Sequence, residues 1–252
     1  MKNPKNILIT GASSGIGAAL ALEYAKNGVT LLLMGRDKNR LREIADKCRK
    51  KNANAEISAV DVTNKNAMHD AILELDDKYP IDLIIANAGI SGVSGGVEDP
   101  IEEIYNGFNV NVYGVLNTIL PAAEKMKKRE SGQIAIMSSL ASFRGMPSAP
   151  QYCATKAAVR SFGEGFRGDM KPYNIGVTVI CPGYIRTPMT DVNNFPMPML
   201  METEEAAKLM IKKLTKNPPR IAFPFPLYFT IWLLGSLSPR LTDWIFNRLP
   251  KK

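Results

Sequence analysis

The stretch that most constrains the fold lies near the N-terminus. Asn6-Ile7-Leu8-Ile9-Thr10 reads as a short buried strand, and Gly11-Ala12-Ser13-Ser14-Gly15-Ile16-Gly17 follows it without a break. The helical run AALALEYAKN comes next and stops at Gly28. A strand, a glycine turn and a helix in that order form the opening unit of an α/β sheet. The same arrangement puts a phosphate on a helix N-terminus, where glycines let the backbone approach and free N–H groups point at the oxygens. The spacing is Gly-x-x-x-Gly-x-Gly, not Gly-x-Gly-x-x-Gly. No Gly-Lys-Ser/Thr follows, which argues against ATP. A purely structural turn is the alternative, but the first strand–helix junction favours a dinucleotide.

A second stretch, SSLASFRGMPSAPQYCATK, covers residues 138–156 and leads from an apolar strand-like run at 133–137 into a helix. Tyr152 and Lys156 are four residues apart, so they stand on one helix face one turn apart. An ammonium near a phenol favours the phenolate and lowers a pKa that is ordinarily about 10. Ser139 lies thirteen residues before Tyr152, and a hydroxyl at a strand end can return over the same pocket. Alone, Tyr-x-x-x-Lys also describes an ordinary surface pair.

The composition removes several chemistries. The chain has one histidine, His69, in a charged helix-like stretch, which leaves no Ser-His-Asp site near a nucleophile elbow and no two-histidine zinc site. Three cysteines, Cys48, Cys153 and Cys181, have no metal-like spacing and read as reduced thiols, so a cytoplasmic setting is expected. No secretory leader precedes the first strand. The net charge of +8 is spread along helices with acidic neighbours, without an aromatic-rich basic stripe. No nucleic acid partner is expected; an anionic cofactor or membrane surface can use the excess.

Residues 30–34 form a second, wholly apolar strand, as burial on both faces requires. Folds that prefer NAD place an acid at its end for the ribose 2′-hydroxyl. Here Gly35-Arg36 stands in that place. A guanidinium forks onto a 2′-phosphate that a carboxylate would repel, so NADP(H) is expected, with Arg36 as the clamp. Asp37 reads better as the N-cap of the helix that follows. Further strands are expected at 56–60, 81–86 and 175–180 and near residue 221, with helices at 66–78, 101–129 and 203–215.

With these motifs in order, the chain resembles the short-chain dehydrogenase/reductase family. The matching residues are Thr10-Gly11-x-x-x-Gly15-x-Gly17, Asn87-Ala88-Gly89, Asn111, Ser139, Tyr152-x-x-x-Lys156 and Pro182-Gly183. The resemblance spans about residues 6–223; Ala86 departs from it, since many members have Asn there. It implies a pyrophosphate cradle of Gly11, Ser13, Ser14, Gly15, Ile16 and Gly17. Asp61 and Val62 would flank adenine, though Asp61 also suits a turn cap. Asn87, Ala88 and Gly89 would meet the cofactor backbone, and Pro182, Gly183 and Thr187 the carboxamide side of nicotinamide.

The implied reaction moves a hydride to a carbonyl carbon while Tyr152 protonates the oxygen. Ser139 positions that oxygen. Lys156 lowers the tyrosine pKa and holds the nicotinamide ribose. Asn111 kinks its helix and holds a water linking Lys156 to solvent; an exposed polar role is its alternative. Gly163, Gly165 and Gly168 suggest close approach of another helix, and the resemblance implies a homodimer or homotetramer.

Two segments go beyond the family core. Residues 188–203, rich in methionine and proline, form a natural lid, whose methionines suit either a lipophilic substrate or packing against the protein itself. The uncharged run at 221–239 approaches bilayer-spanning length, but Pro224 and Pro226 interrupt it. Two amphipathic helices, near 227–237 and 239–249, fit better. Tyr228, Trp232 and Trp244, with Arg240, Arg248, Lys251 and Lys252, suit peripheral membrane contact. Roofing the pocket or a subunit interface is the competing role.

The expectation is therefore a Rossmann-type doubly wound parallel sheet of about seven strands in a three-layer α/β/α domain, residues 1–223, with a helical C-terminal extension at 224–252. The expected function is NADP(H)-dependent interconversion of a carbonyl and an alcohol, with a lipophilic small-molecule substrate. A 3-oxoacyl-carrier-protein reductase uses the same catalytic set. A cofactor-sensing protein without turnover is the reading from another class.

Overall fold

The computed structural model describes residues 3–91, 100–147 and 149–248. The first half of the chain alternates β1 (Asn6–Thr10), α1 (Gly15–Tyr24), β2 (Thr30–Gly35), α2 (Lys38–Arg49), β3 (Asn54–Ala59), α3 (Lys65–Lys78) and β4 (Leu83–Ala86). The second half follows with α4 (Pro100–Phe108), α5 (Gly114–Arg129), β5 (Gly132–Met137), α6 (Pro150–Met170), β6 (Ile175–Pro182), α7 (Thr203–Leu214), β7 (Arg220–Phe223), α8 (Phe225–Ser236) and α9 (Pro239–Phe246).

All seven strands join one parallel sheet in the order β3-β2-β1-β4-β5-β6-β7. Because successive strand residues face opposite ways, β1 feeds two cores. Ile7 and Ile9 join Leu31 and Leu33 beneath α1, α2 and α7. Leu8 joins Leu32, Met34 and Ile84 beneath α3, α5 and α6. The order runs outward in both directions from β1 and β4. Ligands of such sheets sit in the crevice at the C-terminal ends of the strands flanking that reversal.

The local sequence explains the boundaries. Asp37 caps α2 by accepting from the N–H groups of Asn39 and Arg40, both at 3.0 Å. Asn64 caps α3 through Ala67. The long helix expected at 101–129 is continuous in backbone conformation, but its middle turn, Asn109–Tyr113, is wound as a π-helix. Such single-turn bulges re-aim side chains within an otherwise regular helix.

One of the three helical glycines, Gly163, departs from the expectation. A Cβ on Gly163 would stand 2.6 Å from Val179 and 2.9 Å from Ile136, so that glycine admits the sheet, not another helix. Gly165 and Gly168 face no atom within 4 Å. Helix α8 begins and ends slightly before the expected 227–237, because Pro226 falls in its first turn, while α9 begins at Pro239 as expected and ends earlier, at Phe246. The glycine-rich rim read from 90–100 falls mostly on residues 92–99, and Leu249, Lys251 and Lys252 close the chain; both lie outside the described residues. Among the described residues no helix is long and apolar enough to cross a membrane.

Candidate active site

A cavity of about 370 Å³ runs over the C-terminal ends of β1, β4, β5 and β6. At its floor the ends of β1 and β4 are clamped together. Thr10 Oγ1 accepts from the N–H groups of Asn87 and Ala88 at 3.1 and 3.2 Å. Asn87 Nδ2 donates back to the Thr10 and Gly11 carbonyls at 3.0 and 3.3 Å. Gly11 has φ +65°, a conformation glycine adopts without strain, and a Cβ there would stand 2.9 Å from Ala88 Cα. Gly17 serves the same packing from the helix side: its Cβ would meet the Gly11 carbonyl oxygen at 2.2 Å. Ser14 precedes α1 without a side-chain cap, leaving the first-turn N–H groups of that helix for an anion.

At one end of the cavity stand Arg36 and Arg40. Asp37 is engaged as the α2 cap and lies 3.2 Å from Arg40 Nε. Arg36 Nη1 lies 3.9 Å from Asp61, whose other oxygen accepts from Thr63 N and Oγ1. Asp61 is thus a turn cap that also lines the cavity.

At the other end Ser139, Tyr152 and Lys156 converge. Ser139 opens the short turn Leu140–Phe143, accepting from Ala141 N at 3.1 Å, and its hydroxyl lies near enough to the Tyr152 phenol to bear on its acidity. Ser138 faces the other way, donating to the Lys156 carbonyl at 2.8 Å. Lys156 Nζ donates to the Met137 carbonyl at 3.1 Å and sits 5.7 Å from the Tyr152 ring centroid.

Asn111 is buried at 1% exposure, so the exposed alternative is discarded. Its Oδ1 accepts from Ile90 N at 2.8 Å, and its Nδ2 donates to Ile90 O at 2.9 Å and Thr155 Oγ1 at 3.1 Å. The π-helical turn thereby ties the chain leaving β4 to the helix that carries Tyr152 and Lys156.

Burial governs the electrostatics at this end. It pushes the Tyr152 phenol up to about 12, against a smaller lowering by the Ser139 hydroxyl. It pulls the Lys156 ammonium down to about 8. The expected lowering of the tyrosine by the lysine is not what the geometry gives: desolvation disfavours both charged forms. At neutral pH Tyr152 is therefore a phenol with a proton to give.

Of the residues singled out from the sequence, Gly11, Ser13, Ser14, Gly15, Ile16, Arg36, Asp61, Val62, Asn87, Ala88, Gly89, Ser139, Tyr152, Lys156, Pro182, Gly183 and Thr187 line the cavity. Gly17 and Asn111 stand behind it, as packing and hydrogen-bonding supports. Sequence reasoning missed Arg40, one helical turn beyond Arg36, although that spacing was visible. It also missed Thr10 as the floor clamp and Thr155 as the anchor of Asn111, for which no local pattern exists.

The glycine turn, the uncapped helix terminus and the paired arginines fit a dinucleotide, whose nicotinamide end would reach Tyr152. The fold and site thus define a dinucleotide-binding α/β protein with a tyrosine–lysine centre. A sequence model described as short chain dehydrogenase matches residues 5–196, and the chain belongs to the short-chain dehydrogenase/reductase family. An uncharacterized oxidoreductase of Myxococcus xanthus is 36% identical over 246 residues, 97% of each chain. A 3beta-hydroxysteroid dehydrogenase of Mediterraneibacter gnavus is 33% identical over 190 residues, covering 74% of this chain and 68% of its own. Among solved structures, a short-chain dehydrogenase from Sphingobium yanoikuyae in complex with NADPH superposes with TM-score 0.80 at 25% identity, over 97% of this chain and 93% of that one. The chain is thus an oxidoreductase with a nicotinamide-cofactor fold.

Proposed function

We propose that this enzyme is an NADP(H)-dependent reductase of lipophilic ketones or aldehydes, able to run in reverse as an alcohol dehydrogenase. The observation that carries the reading is one continuous cavity with Arg36 and Arg40 at one end and Ser139, Tyr152 and Lys156 at the other. Two guanidiniums suit a 2′-phosphate, and the carboxylate next to them, Asp37, is engaged by backbone N–H groups.

When bound, the cofactor supplies the hydride. The protein supplies the rest. Ser139 donates a hydrogen bond to the substrate oxygen and fixes its position. Tyr152 releases its phenolic proton to that oxygen, and Lys156, one helical turn further on, would hold the nicotinamide ribose. Asn111 acts by positioning, through Ile90 and Thr155.

Met189 on the cavity wall supports an apolar substrate, as does the hydroxysteroid activity in the name of one relative. The exposed Ile104, Tyr105, Tyr113, Leu120 and Phe162 on α4 to α6 suit a contact between copies, in a homodimer or homotetramer. Three free cysteines suit the cytoplasm.

The test is a binding titration with NADPH and NADH, followed by turnover on a panel of lipophilic ketones and aldehydes. Tighter binding of NADPH, lost in Arg36→Ala, supports the reading. Preference for NADH moves the ribose contact to Asp37 and overturns the cofactor assignment. Turnover undiminished in Tyr152→Phe overturns the mechanism.

A further inference from the structure

Helix α8 carries no charged residue and is apolar on both sides. One side is covered: Leu227, Tyr228 and Ile231 pack on Leu140, Val179 and Cys181. Close docking is built in, because a Cβ on Gly235 would stand 2.3 Å from the Phe143 carbonyl oxygen. The opposite side faces outward, with Phe225, Phe229, Trp232 and Leu233 exposed at 69, 48, 42 and 43%. Their spacing of four, three and one residues keeps them on one helical face. Phe225 stacks on Phe229 at 6.2 Å, and Phe229 meets Trp232 at 6.1 Å. Helix α9, which follows, carries two further exposed apolar side chains, Leu241 and Trp244, 62 and 60% exposed.

A run of large apolar and aromatic side chains on one surface calls for an occupant. The charges beside it indicate which. Residues 225–248 hold Arg240 and Arg248 against one acid, Asp243. Asp243 is already paired with Arg144 Nη2 at 2.6 Å, so it does not offset that positive charge. Arg240 and Arg248 are exposed and form no ion pair among the described residues; Arg248 lies over the Trp244 ring at 5.4 Å.

We infer that α8 and α9 form a docking face for an anionic bilayer surface. Indole rings beside arginines suit the headgroup boundary, where ring bodies enter the acyl layer and cations meet lipid phosphates. A second copy of this chain is a poorer occupant, since a two-fold contact through the same face brings the same cations together. The face lies at the cavity's end of the sheet, because α8 leans on the walls of the cavity itself: a Cβ on Gly183 would stand 3.1 Å from Leu227. The inference is independent of the proposed function, and its readout is neither turnover nor cofactor binding.

The experiment is flotation of the purified full chain with two kinds of vesicle. One is equimolar phosphatidylserine and phosphatidylcholine; the other is phosphatidylcholine alone. The expected result is flotation with the anionic vesicles, weaker by about tenfold on neutral ones. Trp232→Glu/Trp244→Glu should remain at the bottom of the gradient while keeping the wild-type circular dichroism and melting profile. Arg240→Glu/Arg248→Glu should lose the preference for anionic lipid. Failure of the wild type to float overturns the inference, as does equal flotation on both vesicles. A halving of solution mass in the tryptophan variant, without wild-type flotation, assigns the face to a second copy instead.

Discussion

Both ends of the cavity hold cations, in opposite surroundings. The Arg36 side chain is 73% exposed, and Arg40 beside it is exposed as well. Lys156 is 3% exposed and rests against the Met137 carbonyl. In water an arginine keeps its charge and attracts an anion over a screened distance. In the interior a lysine loses hydration, its proton becomes labile, and its charge costs stability. The open end is thus suited to affinity and selection, and the closed end to chemistry. The same residue class does both jobs because the fold decides how much water each side chain keeps.

The largest expected effect lies at the closed end. Tyr152→Phe removes the proton and keeps the ring, so kcat should fall about 10²- to 10⁴-fold with cofactor affinity nearly unchanged. Equal losses in both, by steady-state kinetics and titration, would break the division between the two ends.

Next comes stability. Folding lowers the Lys156 pKa from 10.5 to about 8, so below pH 8 the native state carries a buried charge whose cost is on the order of 3 kcal/mol. Lys156→Met removes that cost but also the bond to Met137, worth about 1 kcal/mol. The inactive variant should therefore be the more stable protein at pH 7, by roughly 1–2 kcal/mol in urea denaturation. Between about pH 8 and 10.5 the native state holds fewer protons than the unfolded chain, so this residue's contribution to stability rises with pH. The gap between variant and wild type should then close. A gap independent of pH would mean that Lys156 is not desolvated as its burial implies.

The open end gives smaller numbers. Arg36→Ala/Arg40→Ala should weaken NADPH about tenfold and leave NADH unchanged, as expected for a charge-assisted contact. Smallest is the salt response. Raising ionic strength should weaken NADPH binding a few-fold in the wild type and leave kcat unmoved, since screening reaches the arginines and not the buried pair. A salt-sensitive kcat would show that the two ends are less separate than their exposure suggests.

What could be read in advance divides along a physical line. The seven strands, the glycine turn, the Asp37 cap and the Ser139–Tyr152–Lys156 set are local patterns, because period, capping and helical spacing act over a few residues. Gly163 was misread because its neighbours, Val179 and Ile136, lie on strands distant in the chain. The threefold support of Asn111 by Ile90 and Thr155 depends on a π-helical turn that no spacing rule announces. The tyrosine pKa was misjudged for a related reason. A spacing of four residues reveals the neighbouring ammonium but not the depth at which both groups are buried.

His69, the chain's single histidine, stands 3.2 Å from Asp70 on an exposed stretch of α3, and no imidazole lines the cavity. The side chain that elsewhere serves as the dial for acidity near neutrality is missing from this centre. Small swings of acidity around neutral should therefore pass unnoticed by the enzyme. Its first response to rising pH should come near 8, where Lys156 begins to shed its proton.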